Sequence, residues 1–282
     1  MLKNGFTYEK MMSQINSYIE KHLTFSANGL CDSILGKNIP VITLGEGANV
    51  LAYIGGLNGS DGVSPRLLLH FVRDICSVYA EEGSEFGFSA KRILKEYTLI
   101  VIPMLNPDGR DYCVNGVTVN NPLRDRLINK NRGSEDFSCW RGNARGIELR
   151  YNFGLENGEY EPEVEVGALC NFLRFGIPPK MIFEFSADKN FDNCIYFGDG
   201  ERRSKIATAL TQMSGFERRY RESQESRLML SDWADRELDA SSFSVELKSF
   251  NTMRERNDDN DVFSLYIQMR KMLFCAPILS KI

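Results

Sequence analysis

Eight consecutive residues from Thr98 to Leu105, TLIVIPML, carry no charge. The run falls far short of the ~20 residues that cross a bilayer, but it has the length of a strand. Strands that are apolar on both faces belong at the centre of largely parallel sheets, with helices above and below. Asn106-Pro107-Asp108-Gly109 follows directly, and residues of these types predict a turn.

The remaining segments supply what such a sheet needs. Tyr8, Met11, Met12, Ile15, Tyr18, Ile19 and Leu23 recur at helical spacing, so a helix is expected over 8–23 with Thr7 as its cap. Strands are expected at 39–44 and 49–54. A glycine-rich turn, GGLNGSDG, then leads to a helix opened by Ser64-Pro65, since proline suits the first helical position. Residues 110–148 show little periodicity, and a loop that long inside a compact domain points to function or disorder. Helices are expected over 161–175, 201–215 and 261–276, and strands at 180–185, 193–198 and 242–247. Strands alternating with helices predict an α/β layered fold. One domain spanning 1–282 is the simplest organisation, with residues 1–25 forming an N-terminal helix packed on it.

Composition excludes some classes of function. With 282 residues, 43% hydrophobic and 26% charged, the chain can bury a large core. A net charge of −4 gives no reason to expect a nucleic acid partner. Arg202, Arg203, Arg218, Arg219 and Arg221 are interleaved with Glu201, Glu217 and Glu222, which reads as a solvated helix surface. No apolar run is long enough to span a membrane, and MLKNGFTYEKMMSQINSYIEKHL lacks the apolar segment of a secretory signal. Seven cysteines at irregular spacing fit a reducing cytosol better than a disulfide framework, so a cytoplasmic location is expected. Two histidines, His22 and His70, limit metal and acid–base chemistry. His22 flanks the first helix stripe and is expected at the surface. His70 lies inside the second helix beside apolar residues and is expected to pack rather than ligate.

Several segments in order resemble the zinc carboxypeptidase family, most of all its bacterial branch acting on cell-wall peptides. VIPMLNPDGRDY (101–112) resembles that family's strand and Asn-Pro-Asp-Gly turn. CWRGNARGIELRYNF (139–153) resembles its Trp-Arg element followed by Gly-Val-Asp-Leu-Asn-Arg-Asn-Phe. YEPEVEVGALCNFL (160–173) is similar to its Ser-Glu-Pro-Glu-Thr helix start, and SDWADRELDASSFSVEL (231–247) to its Asp-Trp segment and last catalytic strand. The resemblance implies a three-layer α/β/α domain with a mixed, mostly parallel twisted sheet of about eight strands.

The same resemblance implies that the zinc ligands have been replaced. Where the family has His-x-x-Glu after a Gly-Gly turn, this chain has Asn58 and Asp61. Where it has the histidine of Asp-Leu-His-Ser, Ser186 stands in Glu184-Phe185-Ser186-Ala187. Catalytic zinc takes imidazole or thiolate with at most one or two carboxylates. An amide oxygen, a carboxylate and a hydroxyl make a hard, oxygen-only set. No metal is therefore expected, although an intact pattern would imply zinc. Cys194, in the strand after Ser186, has no Cys-x-x-Cys partner to replace the lost ligands.

Two chemical positions survive. Arg141 aligns with the family's oxyanion-stabilising arginine, and Glu246 with the general base acting on zinc-bound water. The plainer readings are a loop salt bridge for Arg141 and a strand-end carboxylate paired with an arginine for Glu246. The Asn-Arg pair that holds a substrate's terminal carboxylate is represented by Arg150-Tyr151, shifting the arginine by one residue. Asp235 falls where many relatives have a tyrosine closing over substrate.

The function these residues imply is a catalytically inactive relative that binds a peptide with a free C-terminus, a cell-wall peptide, or a protein partner. Two alternatives stay open. One is an active peptidase, with unusual metal ligands or without metal through Glu246 and Arg141. The other is a structural subunit of an oligomer.

Overall fold

The computed structural model describes residues 5–20, 25–154, 161–222, 228–249 and 259–282. His22 and Leu23 lie outside them. The chain opens with α1 (Tyr8–Ile19), β1 (Phe25–Asp32), β2 (Asn38–Leu44), β3 (Asn49–Ile54) and α2 (Ser64–Ala80). A small hairpin of β4 (Ser84–Glu85) and β5 (Phe88–Ser89) precedes α3 (Ala90–Glu96) and β6 (Tyr97–Ile102). Then come α4 (Pro107–Asn115), α5 (Arg124–Lys130), a 3₁₀ turn at Leu149–Tyr151 and α6 (Val164–Asn171), which runs into a π-helical turn at Phe172–Gly176. The last part comprises β7 (Met181–Asp188), β8 (Cys194–Phe197), α7 (Glu201–Ser214), β9 (Glu217–Tyr220), α8 (Leu230–Glu237), β10 (Ser241–Lys248) and α9 (Asp259–Leu279).

Eight strands form one mixed sheet in the order β1-β2-β6-β3-β7-β10-β8-β9. Its centre is parallel: β3 pairs with β6 and β7, and β7 with β10. Antiparallel pairings join β1 to β2, β2 to β6 and β8 to β10. The two-residue period of a strand divides the side chains between two cores. Leu51, Tyr53, Leu99, Val101, Phe183, Phe185, Phe243 and Val245 meet residues of α1, α2, α3, α7 and α9 on one face. Val50, Ala52, Ile54, Ile100, Ile102 and Ile182 meet α6 and α8 on the other. Helices on both faces make the fold three-layered.

The alternation also makes the site. On the α6/α8 face, β7 passes from Ile182 to Glu184 and Ser186, and β10 presents Ser242, Ser244 and Glu246. These polar residues are all buried. In register, Ser244 lies beside Glu184, and Glu246 beside Ser186. The opposite face of the same strands stays aromatic. Tyr53 stacks on Phe183 with centroids 5.3 Å apart, and Phe183 on Phe243 at 5.6 Å.

Several sequence expectations are corrected. The apolar run 98–105 is a strand only to Ile102. Asn106-Pro107-Asp108-Gly109 opens α4 instead of closing a turn. Pro107 sits in the first helical turn and the Asn106 side chain caps it by accepting from Gly109 N at 2.9 Å. The aperiodic 110–148 region holds α5 and a satellite core of Tyr112, Cys113, Leu127, Phe137, Trp140 and Ala144. Arg218 and Arg219 lie on the edge strand β9, not on a helix surface.

Two predictions follow from this packing. Phe183→Ala removes the middle ring of the aromatic stack and should cost about 3–5 kcal/mol in urea denaturation. Glu165, at the start of α6, is buried with no hydrogen-bond partner for either carboxyl oxygen among the described residues. Burial pushes its carboxyl above the ordinary 4.5, and Asp108 and Glu163 add to the rise, which its own backbone N–H and the Asn143 amide, both beyond good hydrogen-bond geometry, only partly oppose. A carboxyl whose folded pKa is raised contributes stability below its unfolded pKa and loses it as pH climbs. The stability of Glu165→Gln relative to the wild type should therefore grow above pH 4.5, as read from thermal melts across a pH series.

Candidate active site

The turn after β3 meets the start of α4 and the 139–148 loop through backbone too close for side chains. A Cβ on Gly59 would lie 2.5 Å from Gly109 O, and one on Gly109 would lie 2.1 Å from Gly142 O. Gly59 N donates to Arg141 O at 3.1 Å, and the Asn106 amide donates to Leu57 O and Gly142 O at 3.0 and 3.2 Å. These contacts bring Asn58 and Asp61 to the ends of β3 and β7.

The three positions expected to replace metal ligands converge. Asn58 Nδ2 donates to Ser186 Oγ at 3.1 Å. Asp61 Oδ2 accepts from Ala187 N, next to Ser186, at 3.0 Å and from Ser64 Oγ at 2.6 Å. Its Oδ1 accepts from Val63 N and Ser64 N at 3.0 and 2.9 Å. Burial pushes the Asp61 carboxyl upward, and these hydrogen bonds oppose that shift.

This donor set does not fit zinc. Both Asp61 oxygens are taken up in tying α2 and β7 to the turn. Ser186 offers a neutral hydroxyl already engaged by Asn58. The donor left over is Asn58 Oδ1, buried and without a hydrogen-bond partner among the described residues, and an amide oxygen is a hard ligand suited to other ions. Among the described residues no group of three or more His, Cys, Asp or Glu side chains could hold a metal ion. His70 is remote from this cluster in character: it stacks on Tyr266 at 5.7 Å, and burial lowers its imidazole to about 4.

Arg150, expected at the terminal carboxylate of a substrate, is instead 1% exposed and bonded within the chain. Its Nε donates to Glu184 Oε1 at 3.0 Å and an Nη to Glu246 Oε1 at 2.6 Å. Burial pulls the guanidinium down, and the two carboxylates more than offset it, so its pKa is raised. Burial pushes Glu184 up while Arg150 and Arg221 pull it back. Glu246 is engaged a second time by Arg221 at 3.4 Å, and Cys194 Sγ lies 4.0 Å from its other oxygen. Burial and the Glu246 charge push the Cys194 thiol up to about 11.

The other expected residues sit around this pair. Tyr151 is half-buried, its ring 5.9 Å from the Arg150 guanidinium carbon. The Arg141 backbone joins the Gly59 turn, but its guanidinium, 33% exposed, points to Glu148 at 3.6 Å. Asp235 accepts from Ser242 Oγ and pairs with Arg203 at 3.1 Å. Glu184, Arg221 and Ser244 belong to the site but carried no signal of their own in the sequence. Only strand alternation from Glu246 and Ser186 could have pointed to Glu184 and Ser244. The charge interleaving around Arg221 predicts a solvated surface instead.

A model of the family described as zinc carboxypeptidase matches residues 12–168, more than half of the chain. The chain belongs to the zinc carboxypeptidase family. The match contains Asn58, Asp61, Arg141 and Arg150, and ends before Ser186 and Glu246. Gamma-D-glutamyl-L-diamino acid endopeptidase 1 of Lysinibacillus sphaericus is 26% identical over 54% of the chain and 38% of its own length. An uncharacterized protein of Bacillus subtilis, YqgT, is 25% identical over 50% and 38% respectively. The chain thus matches well under half the length of these relatives. Thrombin activatable fibrinolysis inhibitor superposes with a TM-score of 0.74 at 15% identity, covering 99% of this chain and 74% of that one. The metallo-carboxypeptidase of Burkholderia cenocepacia superposes with a TM-score of 0.70 at 14% identity, covering 97% and 69%. At such identities these neighbours establish the fold.

The anchoring role of Asp61 is directly testable. Asp61→Ala leaves three buried backbone N–H groups without their acceptor. It should lower stability by about 1–3 kcal/mol or more in urea denaturation, since each buried donor left unsatisfied carries a cost of that size.

Proposed function

We propose that this zinc carboxypeptidase relative is non-hydrolytic and that it binds a peptide or a protein partner without cutting it. The observation that carries the reading is the 2.6 Å bond between Arg150 and Glu246. A general base must be free to take a proton from water. Glu246, at the position of that base, accepts from one guanidinium inside the site and lies 3.4 Å from a second, Arg221, at its edge. The donor chemistry of Asn58, Asp61 and Ser186 supports the same reading, because it gives zinc nothing to prefer. So does the space beside Asp235. The cavity lined by Tyr196, Gly198, Arg221, Ser231, Asp235 and Ser242 measures about 10 Å³, the scale of one water and not of an amino-acid side chain. The relative from Lysinibacillus is named for action on gamma-D-glutamyl-L-diamino acid linkages, so a peptide with that linkage is the first ligand to try.

Hydrolysis and binding are tested separately. Incubation with peptides bearing a free C-terminus, with zinc supplied, should give no cleavage by mass spectrometry. Calorimetric titration with free and amidated peptides then distinguishes a peptide site from a protein-binding role, which predicts negligible affinity for both. The triple variant Asn58→His, Asp61→Glu, Ser186→His should gain zinc binding, because its three positions already converge. It should remain nearly inactive until Arg150→Asn also releases Glu246, and weakly active after that. Chelator-insensitive cleavage by the unmodified chain would overturn the proposal.

A further inference from the structure

Two carboxylates on adjacent strands, Glu184 on β7 and Glu246 on β10, lie on the same face of the sheet two register positions apart, where water has little access. An unpaired charge in such a place is strongly destabilising. The way this pair is neutralised selects one kind of cation. Two nitrogens of a single planar group reach two different strands, 3.0 Å to Glu184 and 2.6 Å to Glu246. An ammonium is a compact, strongly hydrated point charge with no fork to lay across two strands. An aromatic ring completes the enclosure: Phe191 lies 5.0 Å from the guanidinium carbon, within range of a cation–π contact that favours a flat, weakly hydrated ion.

We infer that Glu184, Glu246 and the Phe191 ring form a guanidinium receptor, occupied in cis by Arg150 as the resident cation of the strand-end cluster. This holds whether or not the chain cleaves peptides. The receptor is asymmetric. Glu246 keeps Arg221 at 3.4 Å, a guanidinium that also stacks on Tyr196 at 4.0 Å. Glu184 has, among the described residues, Arg150 alone as a cationic partner within hydrogen-bond distance, with Ser244 Oγ 3.5 Å from its second oxygen. Loss of Arg150 therefore strands Glu184 more than Glu246.

Chemical rescue tests the assignment. Arg150→Ala should lower the Tm by about 6–12 °C, as expected when one partner of a buried pair is removed from a domain of this size. Low-millimolar guanidinium or methylguanidinium chloride, far below denaturing concentrations, should restore at least half of the loss in a saturable way. Sodium and calcium chloride at matched ionic strength should not, and the wild type should not respond. Arg150→Ala with Glu184→Gln should recover more Tm than Arg150→Ala with Glu246→Gln, and should no longer respond to guanidinium. Equal rescue by sodium or calcium would overturn the inference, as would an Arg150→Ala melt within two degrees of the wild type. Should Arg150→Ala fail to fold, Arg150→Ala/Glu184→Gln/Glu246→Gln decides. Recovery of a folded chain on neutralising both carboxylates supports the inference, and failure to fold with those charges gone overturns it. None of these readouts depends on peptidase activity.

Discussion

One guanidinium shared between two buried carboxylates organises the strand ends of this fold. Arg150 comes from a 3₁₀ turn, Glu184 from the centre of the parallel sheet and Glu246 from the strand beside it. A buried ion pair adds little net stability over well-packed apolar residues, yet breaking it is costly. The network therefore constrains more than it stabilises. It fixes where the 149–151 turn lies against the sheet, and it engages one oxygen of the Glu246 carboxylate with two guanidinium groups. A charge-balancing role and a catalytic role make opposite demands on Glu246, and the non-hydrolytic function proposed above rests on the first.

Behind that network lies a scaffold of close backbone contact. Gly59 and Gly109 let three separate segments meet at distances no Cβ would allow, and Asn106 threads an amide between them. Asp61 then spends all its acceptor capacity on the chain itself. The geometry that brings these positions together is kept, while the chemistry at them has turned inward. A fold can survive such a change because its aromatic face, through Tyr53, Phe183 and Phe243, is independent of what the polar face holds.

Much of this was legible in the sequence. The apolar run ending at Ile102 announced a central strand, and six of the eight strands of the main sheet could be placed by pattern. The two missed, β1 and β9, are sheet edges. Their residues are largely exposed or half-buried, so alternation of apolar and polar side chains is weak there. The convergence of Asn58, Asp61 and Ser186 followed from motif order, but the partner of Arg150 did not. Pairing between residues 34 and 96 positions apart has no local signature. An arginine shifted by one residue looked like a displaced substrate contact because its direction depends on a 3₁₀ turn that no periodicity marks. Arg221 escapes for a similar reason: charge composition cannot tell a solvated arginine from one folded against a tyrosine ring.

Those long separations bear on the order in which the molecule assembles. Asn58 meets Ser186 across 128 positions and Asp61 meets Ala187 across 126. Central parallel pairing joins strands far apart in sequence, and contacts of that kind bring large loop-closure costs and slow folding. The polar cluster cannot exist until β3, β7 and β10 lie side by side. Before that moment its carboxylates stay hydrated and apart. Because the cluster draws on all three strands, an intact cluster marks a chain whose central strands have all arrived.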